Sequence, residues 1–380
     1  MKSTYHLYYI LSAGLMVITG CKQSYNPPSI NANKNYLVVD GFINAGADST
    51  IFTLGRTSNL DSPASPNSEL GATLVVQGSG GYSFQLSELG NGRYGASGLN
   101  LDLSQNYRLS IATTNGSAYL SDYSAVKSSP PMDSVSWQLI DGGVNIYANT
   151  HDPLGNTRYY RWDYVETWEN RSHYESFYHY DPSTRSIYIG QEVPHICWSN
   201  DNSTNILIAS SAKLTSDIIY RAPLTFIPLN SIKISVEYSI LVRQYALTAE
   251  EYNYWQTLQS STEKTGSLFD QQPLQITGNI HCTTNPNELA IGYVGAGSVV
   301  ESQRIFINNY QVAPWFYEDG CQEVLVSPDP DSLQFYNSFG FDPVDVKTMG
   351  GAIIAYYFSD NHCVDCTLNG GTNIKPGFWQ

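Results

Sequence analysis

From Tyr36 onward the chain is written largely in a two-residue period, and this confines it to a β-rich fold. In Arg158-Tyr-Tyr-Arg-Trp-Asp-Tyr-Val-Glu-Thr-Trp168, one set of alternate positions holds Tyr160, Trp162, Tyr164, Glu166 and Trp168. The other holds Tyr159, Arg161, Asp163, Val165 and Thr167. Successive side chains of a strand leave opposite faces, so the pattern predicts a long strand with one heavily aromatic face. Ser231–Leu247 repeats the device with Ile232, Ile234, Val236, Tyr238, Ile240 and Val242. Shorter strands are predicted at Tyr36–Ile43, Ile51–Leu54, Tyr82–Leu86, Tyr107–Ile111, Val135–Leu139 and Val144–Ile146, with a late, buried one at Gly350–Phe358. Asn115-Gly116 is a strong hairpin signal, because both residues tolerate the left-handed backbone of a tight turn.

One stretch breaks the period. In Leu247-Thr-Ala-Glu-Glu-Tyr252, Thr248 can cap a helix, Glu251 can reach back to complete a capping box, and Leu247 can staple to Tyr252. Tyr252, Trp255 and Leu258 continue at helical spacing toward a stop near Gly266, and this is the one helix predicted. The polar stretches Asp270–Pro286 and Pro328–Pro343 read as loops. The expected class is all-β: an N-terminal immunoglobulin-like β-sandwich over 36–128, then a larger β-rich, sandwich-like domain over 132–380 with one short helix. Ser128-Ser-Pro-Pro131 reads as the linker between them.

The amino terminus addresses location. A basic start at Lys2, an apolar run from Leu7 to Ile18 and small residues before Cys21 have the layout of a secretory signal, too short to span a bilayer. Residues 1–20 are predicted as signal peptide. The ending resembles the bacterial lipobox, in which Cys21 becomes the lipidated first residue, and 21–35 reads as a flexible tether. Lys22, not aspartate, follows the cysteine, so the outer membrane is favoured; whether the protein faces the surface or the periplasm stays open.

An exported chain permits disulfides. Cys197, Cys282, Cys321, Cys363 and Cys366 remain after Cys21, and an odd count leaves one thiol over. Disulfides drawn from Cys197, Cys321, Cys363 and Cys366 are expected, with Cys282 left out. The net charge of −15 argues against nucleic acid, whose phosphates need basic partners.

No nucleophile elbow, phosphate loop, dinucleotide fingerprint or zinc-protease motif is present, so no catalytic residue, cofactor or metal is assigned. His173 and His179 lack metal-fixing spacing, and Asp329 and Asp331 lack a calcium loop around them. Asp163, Glu166, Glu192 and Glu237 are candidates for a glycosidase pair within the strand-rich region, though 34 acidic residues make some such pair inevitable. Charged residues are only 14 % of the chain, against ~25 % in ordinary domains, while Tyr numbers 29. Trp168, Tyr174, Phe177 and Tyr178 are therefore candidate ligand-binding aromatics, set against the alternative that such rings are core.

Several motifs together resemble a known group: the lipobox, Y-L-V-V-D-G-F-I at 36–43, Y-Y-R-W-x-Y-x-E-T-W at 159–168, and Y-S-I-L-V-R-Q-Y-A-L-T-A-E-E-Y-N-Y-W at 238–255. G-S-L-F-D-x-Q-P at 266–273, G-N-I at 278–280, R-I-F-I at 304–307 and the C-x-x-C-T-x-N-G-G-T-N-x-K-P-x-F-W ending at 363–379 extend it over the mature chain. The chain resembles the large Bacteroidetes-type outer-membrane lipoproteins known only as a domain of unknown function. Members are typically encoded beside TonB-dependent receptors. The resemblance implies an accessory or ligand-capture partner of such a receptor in nutrient uptake, and it transfers no catalytic residue. The alternatives are a surface hydrolase without a recognisable motif, or a purely structural or adhesive lipoprotein.

Overall fold

The computed structural model describes residues 35–58, 67–263, 278–312, 315 and 317–379. The predicted signal peptide, Cys21 and all of the tether except Asn35 lie outside them. The class is all-β and sandwich-like, as the two-residue period predicts.

In the first sandwich, Leu37–Asn44 pairs antiparallel with Ser49–Arg56, placing Val39 opposite Leu54. Strand Ser83–Gly90 serves both halves: its start pairs with Thr73–Gly78 and its end with Arg93–Ser97. The halves close over Leu37, Phe52, Leu54, Leu74, Leu109 and Tyr119. Full burial of each such Leu or Phe stabilises the fold by about 2 kcal/mol. Around Asn115-Gly116, strands Asn106–Ala112 and Ala118–Ser121 pair as predicted. Asn115 Oδ1 accepts from Thr113 Oγ1 and from the Ser117 N–H, and Gly116 takes a φ of 89°.

Residues 280–297 return to this sandwich. Ile280–Cys282 pairs antiparallel with Ala118–Ser121, while Ala290–Ile291 and Gly295–Gly297 pair parallel with Leu37–Asn44. The span 132–380, expected as a separate domain, thus lends three strands to the first. Bare backbone permits the approach: a Cβ on Gly278 would stand 1.6 Å from Gly292 O, and one on Gly292 would stand 2.1 Å from Val39 O.

The second sandwich packs a three-stranded sheet, Met132–Ile140, Gly143–His151 and Ile218–Pro228, on a larger sheet. The larger sheet centres on Tyr159–Arg171, flanked by Ile196–Asn202 and Glu237–Ala246. Tyr160, Trp162 and Tyr164 all point into the core beside Val144, Ile146 and Leu224. The strand predicted from Ser231 begins only at Glu237, because Ile232–Ile234 forms a 3₁₀ turn capped by Ser231 Oγ, which accepts the Lys233 N–H.

A third, smaller unit follows. Val324–Val326, Phe341–Met349 and Ala352–Asp360 form a sheet that shares a core of Val326, Leu333 and Phe358 with a helix over Pro330–Ser338. That helix corrects the loop expected at Pro328–Pro343. Asp329 accepts the Ser332 N–H at 2.9 Å and Pro330 takes the first helical position, where its missing N–H costs nothing. The late strand is present, but it is exposed at Ala352–Ile354 and buried only at Phe358 and Ser359. Cys197–Cys366 is disulfide-bonded and ties this unit to the second sandwich, Cys321–Cys363 is bonded within the unit, and Cys282 is free and buried in the first sandwich.

Candidate functional site

The predicted helix, α1 (Ala249–Thr262), stands where the two sandwiches meet. Leu247 joins Phe42 and Tyr245 in a buried cluster on which Tyr252 and Trp255 pack, so the staple forms. Thr248 Oγ1 accepts the Glu251 N–H at 3.1 Å. The second half of the capping box is not made. The Glu251 carboxylate turns instead into the junction, where a Cβ on Gly295 would lie 2.4 Å from its Oε2. Burial pushes this carboxyl up to about 7, against the opposing attraction of Arg161. The Arg161 guanidinium is itself held 4.2 Å from the Tyr245 ring and 4.7 Å from the Trp255 ring.

On its other side α1 presents Glu250, Asn253, Tyr254 and Thr257. The spacing of three, one and three puts them on one helical face. They form one wall of a cleft of about 760 Å³. The opposite walls are Asp122–Ala125 and Asn106 of the first sandwich, with Gly278, Asn279 and Tyr293 of the returning segment. The volume lies within the range of small-molecule sites, and a domain junction is where such sites concentrate.

The walls are firm. Asn279 Oδ1 accepts the Val294 N–H at 2.8 Å and its Nδ2 donates to Val294 O at 3.0 Å. The Tyr254 and Tyr293 rings lie 5.4 Å apart. Burial pushes the Tyr254 hydroxyl up to about 12 and raises that of Tyr293, so both remain protonated at neutral pH. Asp122 and Glu250 are the charged residues among the described lining; behind them His281 Nε2 lies 3.2 Å from Asp122 Oδ1 and the Arg108 guanidinium 4.6 Å from the Tyr123 ring. A phosphate or carboxylate entering beside Glu250 meets like charge. A neutral polyhydroxyl compound or a cation meets carboxylates, amides and phenol rings, which can accept its hydrogen bonds and stack on its apolar faces.

The aromatics singled out in the sequence stand elsewhere. Trp168 is half-buried over the second core, with Lys233 Nζ 4.9 Å from its ring. Tyr174 is half-buried beside the His173 ring at 4.4 Å, Tyr178 is half-buried, and Phe177 is exposed. All three lie by the third unit, where Ser176 Oγ donates to Pro343 O at 2.7 Å. None of the four lines the cleft. Its helical wall was legible as a polar i, i+3, i+4, i+7 face, but the segments opposite are more than a hundred residues away or beyond the helix.

Three of the four acids considered for hydrolysis are held by partners. Asp163 accepts from Arg243 Nε at 2.6 Å and from Tyr245 OH at 2.8 Å. Glu166, buried, is bound by Lys233 Nζ and by Tyr238 OH at 2.8 Å. Glu237 accepts from Asn308 Nδ2 at 2.6 Å, and burial raises its pKa with the nearby Glu169 adding to the effect. Glu192 is exposed. His173 Nδ1 lies 2.7 Å from Asp319 with Cys321 close by, but Cys321 is bonded to Cys363 and offers no thiolate to a metal.

The chain matches the family model described as Domain of unknown function (DUF4249) over residues 22–303, and it belongs to that family. No curated protein matches it. The third unit and the 363–379 motif lie beyond the matched span.

Proposed function

We propose that this chain is an outer-membrane lipoprotein, anchored through Cys21, that captures a small uncharged or cationic, hydroxyl-rich ligand for a TonB-dependent receptor. The observation that carries the reading is the cleft beside α1, walled among the described residues by tyrosines, amides and the carboxylates of Asp122 and Glu250. The lipobox-like ending at Cys21 and the motif resemblance support the anchor and the receptor. A tethered capture protein needs little intrinsic affinity for its receptor, because anchoring raises its effective concentration at the barrel. The commitment of Asp163, Glu166 and Glu237 to partners favours capture over hydrolysis.

The test is a mild-detergent pull-down of tagged protein from native outer membranes, with mass spectrometry of the eluate. A stoichiometric TonB-dependent receptor supports the role. Membrane-bound protein with no receptor overturns the transport role, and protein found in the soluble periplasmic fraction overturns the anchor. For the cleft, Glu250→Gln with Asn253→Ala should abolish the stabilisation given by whichever neutral or cationic sugar raises the melting temperature of the wild type in a thermal-shift screen; a hit that stabilises the variant equally overturns the cleft as the site.

A further inference from the structure

The three-stranded sheet of the second sandwich carries a different kind of site on its outer face. Its inner face supplies Val144, Ile146, Ala148 and Leu224 to the core. Its outer face bounds a concavity of about 460 Å³ lined by Ser136, Gln138, Tyr147, Asn149, Tyr220 and Arg221, among others.

The register explains how Tyr220 and Arg221 both come to this face. Ala148 pairs with Ala222, but Thr150 pairs with Ile219, so Tyr220 and Arg221 together oppose Asn149. Such a bulge breaks the alternation that would send neighbouring side chains to opposite faces. Arg221 takes a φ of 57°, a left-handed conformation in which glycine is the unstrained residue. A side chain there costs roughly 1–3 kcal/mol and persists only when its surroundings impose it. Here Asn149 imposes it: its Oδ1 accepts the Arg221 N–H at 2.9 Å, while its Nδ2 donates to Ser136 Oγ at 3.0 Å and Ser134 Oγ at 3.1 Å. Glycine would suit this backbone better, yet the chain places a guanidinium there.

That guanidinium is oriented. It lies 4.3 Å over the Tyr147 ring and donates through Nη2 to Gln138 Oε1. A neutral amide does not cancel its charge, and five N–H donors leave others to spend. Among the described residues, Arg221 is the one charged residue of the lining. In a chain of net charge −15, the overall field repels anions, so an anion held here is recognised locally. A fixed, planar fork is matched to a carboxylate. Beside it Tyr220 is 77 % exposed and offers its ring as a flat apolar face for the C–H side of a sugar.

We propose that this face binds an acidic saccharide, with Arg221 pairing its carboxylate and Tyr220 stacking on its ring. The cleft beside α1 has the opposite charge preference, so the two sites fail independently. The experiment is calorimetric titration of the full-length protein in detergent with hexagalacturonate, hexamannuronate, and methyl-esterified hexagalacturonate as the uncharged control. The decisive variant is Arg221→Gly, which suits a φ of 57° and so stays folded while losing the guanidinium. One of the two acidic hexamers is expected to bind at least about tenfold tighter than the esterified form, and Arg221→Gly to lose at least about tenfold in its affinity, the measure of a charge-assisted pair. Tyr220→Ala should weaken binding without changing the preference for the acid form, and Glu250→Gln should leave it untouched. Equal affinity of wild type and Arg221→Gly, equal affinity for acid and ester, or no binding of either acidic hexamer would overturn the proposal. Capture of a peptide by its terminal carboxylate in place of the hexamers would overturn it too.

Discussion

Glu251→Gln isolates the cost of a buried carboxylate at the junction of the two sandwiches. The side chain is enclosed by α1, the Gly295 backbone and the strand carrying Arg161, with Glu250 and Tyr293 as its other titratable neighbours. Burial moves its carboxyl from an ordinary 4.5 up to about 7. At 1.36 kcal/mol per pH unit, that displacement is worth roughly 3 kcal/mol. The sign follows from proton counting. Between 4.5 and 7 the native protein holds a proton that the unfolded chain has released, so native stability falls as pH rises through that window and levels off above it. Glutamine keeps the shape and never ionises. Thermal and urea unfolding of wild type and variant, followed by tryptophan fluorescence from pH 4 to 8.5, gives the difference curve. The variant should gain on wild type steadily across the window, by up to roughly 3 kcal/mol at its alkaline end, and match it in acid. A difference that is constant with pH, or that grows toward acid, would refute the burial argument.

Non-reducing peptide mapping should find Cys197 linked to Cys366, Cys321 to Cys363, and Cys282 alkylated only after unfolding; any linkage through Cys282 contradicts the fold. Replacing Cys366 with Ser should lower stability by as much as about 5 kcal/mol, since the bond joins residues 169 apart and restricts a long loop of the unfolded chain. Gln244→Leu should cost about 3 kcal/mol in urea titrations, because the buried amide serves Trp162 Nε1 at 3.0 Å, Pro130 O at 2.9 Å and Thr150 Oγ1 at 3.1 Å, and its loss strips the Trp162 N–H and Pro130 carbonyl of these bonds. Gly278→Ala should detach the returning segment, where the new methyl would collide with Gly292 O, and hydrogen exchange at Ile280 and Ala290 should rise; unchanged protection there would refute the close packing.

The sequence by itself determined what depends on near neighbours. Alternation marked the strand through Tyr160, Trp162 and Tyr164 and its buried face, Thr248 and Leu247 marked the start of α1, and Asn115-Gly116 marked a hairpin. These signals work because each is a contact or a backbone preference within a few residues. Where a local signal had two readings, it misled: Asp329-Pro330 reads as a turn and is also a helix start, and Ile232-Lys-Ile234 carries strand residues in a capped turn. Tertiary structure alone decided the rest. Four cysteines allow three pairings, and only proximity chooses between them. The parallel pairing of Leu37 with Ala290 joins residues with no common pattern, and it sets Tyr293 and Asn279 across from α1 to make the cleft. The same holds for Glu251, whose sequence neighbours offered Thr248 while the fold offered a bare glycine backbone, and for Arg221, whose exposure to a ligand depends on one extra residue in a strand. Hydrogen-bonded ladders and buried contacts between distant segments form whenever shape and polarity fit, and such fit leaves no periodic trace along the chain.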